Sequence, residues 1–202
     1  MSKQVPMKRS GTEPANIVTV EQAVAALNHS DVIAYPTEAV FGLGCDPDDE
    51  QAIRHLLELK DRSQAKGLII IASDISQLAG YINENLISDD MWARAKDTWP
   101  GPVTWLMPAN ASVSPLLTGE HDTIAVRVTA HPIASRLCRQ FAKPVVSTSA
   151  NIAGQPPARS AEEVQQQFRD RIKCIVAGEV DASISPTEIR DLLTNTVIRK
   201  SS

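Results

Sequence analysis

Aromatic residues are scarce in this chain, at 4% of 202 positions. A core cannot rest on stacked rings and must be built from Val, Ile, Leu and Ala. Cysteine is scarce too. Cys45, Cys138 and Cys174 are odd in number, widely spaced and without a C-x-x-C pair. That argues against a disulfide framework and against a zinc ribbon, and fits a reducing cytoplasm. No apolar run approaches the roughly 20 residues needed to cross a bilayer. Residues 1–16 are polar, with Lys3, Lys8 and Arg9, and lack the apolar stretch of a signal peptide. They read as a flexible tail, with a nonspecific RNA-contacting arm as the alternative. No repeat, low-complexity block or Pro/Gly/Ser-rich linker divides the remainder, so residues 17–202 are expected to form one domain. Its 43% hydrophobic and 22% charged composition is that of an ordinary globular protein. The net charge is -4, so a polyanionic ligand would have to meet a local cluster of cations rather than a global field.

The common catalytic signatures are missing. There is no G-x-x-x-x-G-K-[ST] loop and no G-x-S-x-G elbow. Gly42-Leu43-Gly44 begins like a dinucleotide fingerprint, but Pro47 stands where its third glycine belongs. His29, His55, His121 and His131 are scattered without metal-ligand spacing. The expectation is structural or solvated histidines and no protein-held metal.

What is present alternates between strand and helix patterns. Thr19 and Gln22 make a capping box ahead of Val20, Ala23, Val24 and Leu27. Asp31 to Tyr35 reads as a strand stopped by Pro36. Asp48 is placed to cap a helix carrying Ile53, Leu56, Leu57 and Leu59. The apolar run from Gly67 to Ala72 suggests a strand buried on both faces. Asp74 to Ile82, Ser88 to Thr98, and Pro132 to Phe141 read as helices, and Ser160 with Glu163 opens another. Val103 to Met107, Ile124 to Val128, Val145 to Thr148, Cys174 to Val176, and Thr196 to Ile198 read as strands. This alternation predicts an α/β fold with a twisted mixed sheet flanked by helices.

Five segments could carry chemistry, and each also has a bland reading. Lys60, Arg62 and Lys66 fall between a helix and a buried strand, hence on a loop, where three cations can clamp a triphosphate or simply end a helix. In the strand Ile124–Val128, Arg127 shares a face with Ala125 and Thr129, opposite the apolar face. That face is either ligand-lined or solvent. Ser147-Thr148-Ser149-Ala150-Asn151 ends a strand in small donors suited to a phosphate or carboxylate, or to a turn. Tyr35-Pro36-Thr37-Glu38 leads into Phe41-Gly42-Leu43-Gly44, where glycines allow close backbone approach in a site or in a structural turn. Trp99-Pro100-Gly101-Pro102 is a stiff turn that delivers Thr104 into a strand.

Taken in order, the stretches YPTEAVFGLGCD (35–46), KDRSQAKGLII (60–70), WPGPVT (99–104), IAVRVTAHP (124–132) and PVVSTSANIAG (144–154) resemble the YrdC/TsaC/Sua-type family, the threonylcarbamoyl-AMP synthases. SPTEIRD (185–191) and VIR (197–199) match more weakly. The likeness spans residues 17 to 200. It implies a YrdC-like domain with a concave basic groove. It also implies a nucleotidyltransferase reaction: L-threonine, bicarbonate and ATP, supplied with Mg²⁺, give threonylcarbamoyl-AMP and pyrophosphate. A threonylcarbamoyl-transferase complex would then modify tRNA. By that resemblance Lys60, Arg62, Lys66, Thr104, Ser147, Ser149, Asn151 and Arg199 meet ATP or its phosphates, and Thr37, Arg127 and Thr187 meet threonine. Individual catalytic roles do not follow from it. The chain departs from the family at Phe41, often Tyr, and at Ser63, Gly67 and Thr129, often Pro. Those changes alter loop stiffness more than charge. A C-terminal domain carried by longer members is absent from these 202 residues, as in the short bacterial form. A competing reading is a double-stranded RNA or pre-ribosome binding module using the same groove. The net acidity and the shortage of aromatics weigh against it.

Overall fold

The structure is a computed structural model and describes residues 16–181 and 187–200. Apart from Asn16, the expected N-terminal tail lies outside the described residues, as do Ser185 and Pro186 of the weaker match. In chain order the elements are β1 (Asn16–Val18), α1 (Val20–Leu27), β2 (Ile33–Pro36), β3 (Phe41–Gly44), α2 (Glu50–Lys60), β4 (Ile69–Ala72), α3 (Asp89–Lys96), β5 (Val103–Pro108), α4 (Pro115–Thr118), β6 (Thr123–Val128), α5 (Pro132–Phe141), β7 (Val145–Ser149), α6 (Ala161–Phe168), β8 (Cys174–Val176), β9 (Glu188–Asp191) and β10 (Val197–Arg199).

Among the described residues the strands form one mixed sheet in the order β1-β8-β2-β3-β7-β4-β6-β5-β9-β10. β4 runs parallel to β6, β5 parallel to β9, and β8 parallel to both β1 and β2, while the other pairs are antiparallel. The expected α/β architecture with a mixed, helix-flanked sheet is therefore what forms.

Strand alternation sorts the side chains onto two faces. Ala34, Ile70, Ala72, Val126 and Val146 enter one large core that includes Leu56 of α2 and Val164 and Phe168 of α6. Ile33, Tyr35, Ile71 and Val145 point the other way, into a smaller core with Ala23 and Leu27 of α1 and Leu137 and Phe141 of α5. Ile69 and Ser147 lie two residues from Ile71 and Val145, so they share that second face. There the cover of α1 and α5 gives way to a cleft.

Local chemistry explains the element ends. The Thr19–Gln22 capping box forms as expected. α2 is capped by Asp49 rather than Asp48: the Asp49 carboxylate accepts from the backbone N–H groups of Gln51 and Ala52 at 2.9 and 3.1 Å. Asp48 is diverted to Tyr81 Oη at 2.6 Å and Lys143 Nζ at 2.9 Å. The helix expected over Asp74 to Ile82 contracts to a 3-10 turn at Ile75–Leu78. The chain leaves it at Gly80, and Ile82 then bridges to Ala109. Three strands were not anticipated. β1 begins at Asn16, which was expected in the tail, and pairs with β8; β3 and β9 have little intrinsic strand character. FGLG contains two glycines, and EIRD is charged and only partly buried. β3 and β9 are created by pairing on both sides, each with one neighbour in the chain and one distant strand: β3 with β2 and β7, β9 with β10 and β5. Gly44 is required by close approach, because a Cβ there would lie 2.4 Å from the Val146 carbonyl oxygen and 2.7 Å from the Tyr35 ring.

Candidate active site

The cleft has a volume of about 720 Å³, within the roughly 300–1,000 Å³ range of small-molecule sites. Its walls come from widely separated parts of the chain, chiefly the β2–β3 turn, the loop before β4, α4 and the loop after it, the cleft faces of β6 and β7, and the β9–β10 hairpin. Arg62, Lys66, Arg127 and Arg199 line it, with Asp191 as a carboxylate among them.

Arg127 stands on β6 with Ala125 and Thr123, on the face predicted from alternation. It is only 4% exposed, so its charge must be matched within the protein. Glu38, in the β2–β3 turn and 6% exposed, supplies the match: its Oε2 lies 3.2 Å from Arg127 Nη2. Glu38 Oε1 accepts a 2.7 Å hydrogen bond from the Thr129 hydroxyl, and Thr129 Oγ1 in turn accepts from the His131 N–H at 3.1 Å. Burial pushes the Glu38 carboxyl up, but the Arg127 charge and the Thr129 bond outweigh it and leave it below its ordinary value. On its other side Arg127 Nη1 donates to Thr187 Oγ1 at 2.9 Å, while Arg127 Nε has no hydrogen-bond partner among the described residues. Thr187 also receives Arg199, whose Nη2 donates to the Thr187 carbonyl at 2.8 Å. Burial and the neighbouring Arg127 charge both lower the Arg199 pKa.

On the opposite wall, Arg62 Nη2 donates to the Gly67 carbonyl at 3.0 Å, which fixes the guanidinium, and burial lowers its pKa. Lys66 ends a short 3-10 turn at Gln64–Lys66 and is exposed at the cleft rim. Gly67 has φ +61°, a conformation closed to the proline often found there, and a Cβ would meet the Thr118 carbonyl oxygen at 2.9 Å. Thr37 closes the β2–β3 turn by donating its hydroxyl to the Val40 carbonyl at 2.7 Å. Ser147 and Ser149 lie on the cleft side of β7.

Eight of the residues singled out in the sequence therefore share the cleft: Thr37, Arg62, Lys66, Arg127, Ser147, Ser149, Thr187 and Arg199. Three stand elsewhere. Lys60 is the last residue of α2 rather than part of a loop, and is buried behind the wall. Its ammonium donates to the carbonyls of Ser149 and Asn151 and, at 3.3 Å, to Asn151 Oδ1. Asn151 is turned into its own loop, donating to the Ile152 and Gln155 carbonyls and accepting from Ser149 Oγ at 2.6 Å. Thr104, expected to line the groove, is fully buried, and its hydroxyl has no partner among the described residues. The β5–β6 register sets it opposite Arg127, one step beyond the Trp105–Val126 pair.

The sequence reading missed His121, Thr123 and Asp191 on the cleft wall. No motif marks them; β-strand parity could have found Thr123, two residues before Ala125. Among the described residues, no three His, Cys, Asp or Glu side chains gather as they would around a metal ion. No described helix is long and apolar enough to cross a membrane.

Comparison with known proteins places this cleft among relatives. The family model Sua5_yciO_yrdC, described as "Telomere recombination", matches residues 25–201. A threonylcarbamoyl-AMP synthase of Serratia proteamaculans is 54% identical over 177 residues, covering 88% of this chain and 93% of the relative. The crystal structure of P. abyssi Sua5 complexed with L-threonine superposes with a TM-score of 0.80 at 34% identity, over 86% of this chain and 51% of that one. This chain thus spans about half the length of that Sua5. The E. coli YciO structure superposes with a TM-score of 0.79 at 26% identity, over 90% of this chain and 88% of YciO.

Proposed function

The chain belongs to the Sua5/YciO/YrdC family, and from that premise we propose that it is a threonylcarbamoyl-AMP synthase acting on L-threonine, bicarbonate and ATP. The observation that carries this reading is the convergence of Arg62, Lys66, Arg127 and Arg199 on one cleft whose β7 wall presents Ser147 and Ser149. Such a set suits two anionic substrates, a triphosphate and an amino-acid carboxylate. A Sua5 relative complexed with L-threonine supports the second of these.

The threonine amine and bicarbonate condense to a carbamate with loss of water. A carbamate oxygen then attacks the α-phosphorus of ATP, the bond to the β-phosphate oxygen breaks, and pyrophosphate leaves. Displacement of this kind depends on positioning and charge stabilisation more than on a strong base, which suits a cleft rich in guanidinium groups. Arg62, Lys66 and Arg199, with the Ser147 and Ser149 hydroxyls, are assigned to the nucleotide and its phosphates. Arg127, Thr37 and Thr187 are assigned to threonine. Lys60, Thr104 and Asn151 support these groups from behind. Mg²⁺ enters with ATP as part of the substrate and offsets charge on the departing pyrophosphate. The product is a reactive mixed anhydride, and a threonylcarbamoyl-transferase acting on tRNA is its proposed consumer.

The test is pyrophosphate release by purified protein with MgATP, threonine and bicarbonate, each omitted in turn. Release that requires all three is expected. Release without threonine overturns the assignment of acceptor, and no release from folded protein overturns the synthase reading.

A further inference from the structure

A carboxylate beside a cleft that binds anions is electrostatically unfavourable for its ligands, so Glu38 needs a reason to be there. Its neighbours Thr37, Ala39 and Val40 line the cleft, while its own side chain turns inward and is almost wholly buried. It reaches Arg127 at 3.2 Å and Thr129 at 2.7 Å. Both partners belong to the β6 segment, three strands away from β3 across β7 and β4. One side chain therefore fastens the turn that carries Thr37 to the strand that carries Arg127.

The guanidinium is held from two sides. Glu38 takes Nη2 and the Thr187 hydroxyl takes Nη1. Of the two anchors only Glu38 is charged and deeply buried, and its carboxylate is held by Thr129, whereas among the described residues Thr187 is otherwise tied only to Arg199 of the exposed edge strand. Thr187 is partly exposed, and its hydroxyl is a neutral acceptor that an incoming carboxylate can outcompete. We propose that Glu38 is the positioning residue for Arg127, holding the guanidinium in the orientation that receives the amino-acid carboxylate and locking the Thr37 turn to it. Ligand carboxylate then replaces the Thr187 contact, while the Glu38 contact persists. The proposal rests on the synthase reading given above.

The experiment measures threonine KM, ATP KM and kcat by pyrophosphate release for wild type, Glu38→Ala, Glu38→Gln and Thr129→Val. Wild-type turnover that needs threonine is the condition set by the functional reading; its failure would be seen in that enzyme alone. Given that turnover, Glu38→Ala is expected to raise threonine KM about tenfold or more while ATP KM stays within about twofold. Glu38→Gln, which keeps the shape and an acceptor for the Thr129 hydroxyl but gives up the charge, should recover part of the loss. A residue needed only for folding would reduce kcat through the active fraction and leave both KM values alone. If Glu38→Ala does not fold, Thr129→Val decides, because it loosens the Glu38 carboxylate without unpairing Arg127. It is expected to raise threonine KM about threefold, again with ATP KM little changed. Unchanged threonine KM in folded Glu38→Ala, or in Thr129→Val where that variant decides, overturns the proposal.

Discussion

Arg127 shows how one residue can be read in two free energies. Its guanidinium is assigned to the threonine carboxylate, so Arg127→Ala is expected to raise threonine KM at least tenfold, more than 1.4 kcal/mol of lost binding. It also removes the counter-charge of a buried carboxylate. A broken buried pair costs about 3–5 kcal/mol, so the same variant should melt well below wild type. Adding Glu38→Gln to Arg127→Ala should restore much of that stability without restoring threonine KM. Equal melting temperatures for the single and double variants would show that the pair is not the source of the loss. The sign with pH is fixed by Glu38, whose carboxyl lies below its ordinary value. The stability it contributes is present above the ordinary carboxylate range and is lost as pH falls below it.

Lys60 shifts stability with pH in the same direction but for the opposite reason, because here the charged form is disfavoured. Among the described residues its ammonium meets only carbonyl-type oxygens, and burial together with the Arg62 charge lowers its pKa from 10.5 to about 8. The folded state therefore holds fewer protons at this site than the unfolded chain between pH 8 and 10.5, and stability should rise with pH across that window. Urea midpoints for wild type minus Lys60→Met should climb between pH 8 and 10; a flat difference would return Lys60 to an ordinary solvated amine. Nothing near Lys60 in the sequence announces this role, because its acceptors lie 89 and 91 residues away. The cation cluster was legible; the burial of one member behind the wall was not.

At the scale of elements, the legible parts were those whose local pattern and tertiary role agree. α5 runs from Pro132 to Phe141 as its sequence suggests, since Pro132 suits a first turn and an apolar stripe faces the core. β6 was legible by alternation, which also put Arg127 on the correct face. β3 was not, because its two glycines disfavour a strand and only packing rewards them. That makes Gly44 a sharp test of the β2–β3 hairpin. The neighbours of a Cβ there are backbone and a fully buried tyrosine ring, which cannot yield cheaply. Gly44→Ala is expected to cost about 3 kcal/mol, whereas Gly80→Ala, with nothing within 4 Å, should stay within about 0.5 kcal/mol of wild type. Because the hairpin carries Thr37 and Glu38, the Gly44 variant should also lose threonine-dependent turnover beyond its loss of folded protein. Comparing turnover per folded molecule with melting temperature separates the two effects.

At the scale of the whole molecule, the cleft belongs to no single element. Its walls draw on β3, β4, β6 and β7 near the centre of the sheet and on the β9–β10 hairpin at one edge. That edge is lightly held. β10 is exposed along its length, with Ile198 and Val197 open to solvent, and Arg199 is tied to Thr187. A ligand gripping Arg127 and Arg199 together would tie the edge to the centre, and its binding energy would appear as folding stability. At a hundredfold excess over Kd the gain is about 2.7 kcal/mol, or about 5–10 °C for a domain of this size. MgATP with threonine is therefore expected to raise a single melting transition by that amount, and Arg127→Ala should lose the share contributed by threonine while keeping the share contributed by ATP. Two transitions, of which only one shifts, would mean that the edge hairpin unfolds separately from the central sheet and that the ligand stabilises one without the other. A single transition unmoved by ATP at saturating concentration would mean that the cations on this cleft do not hold the nucleotide.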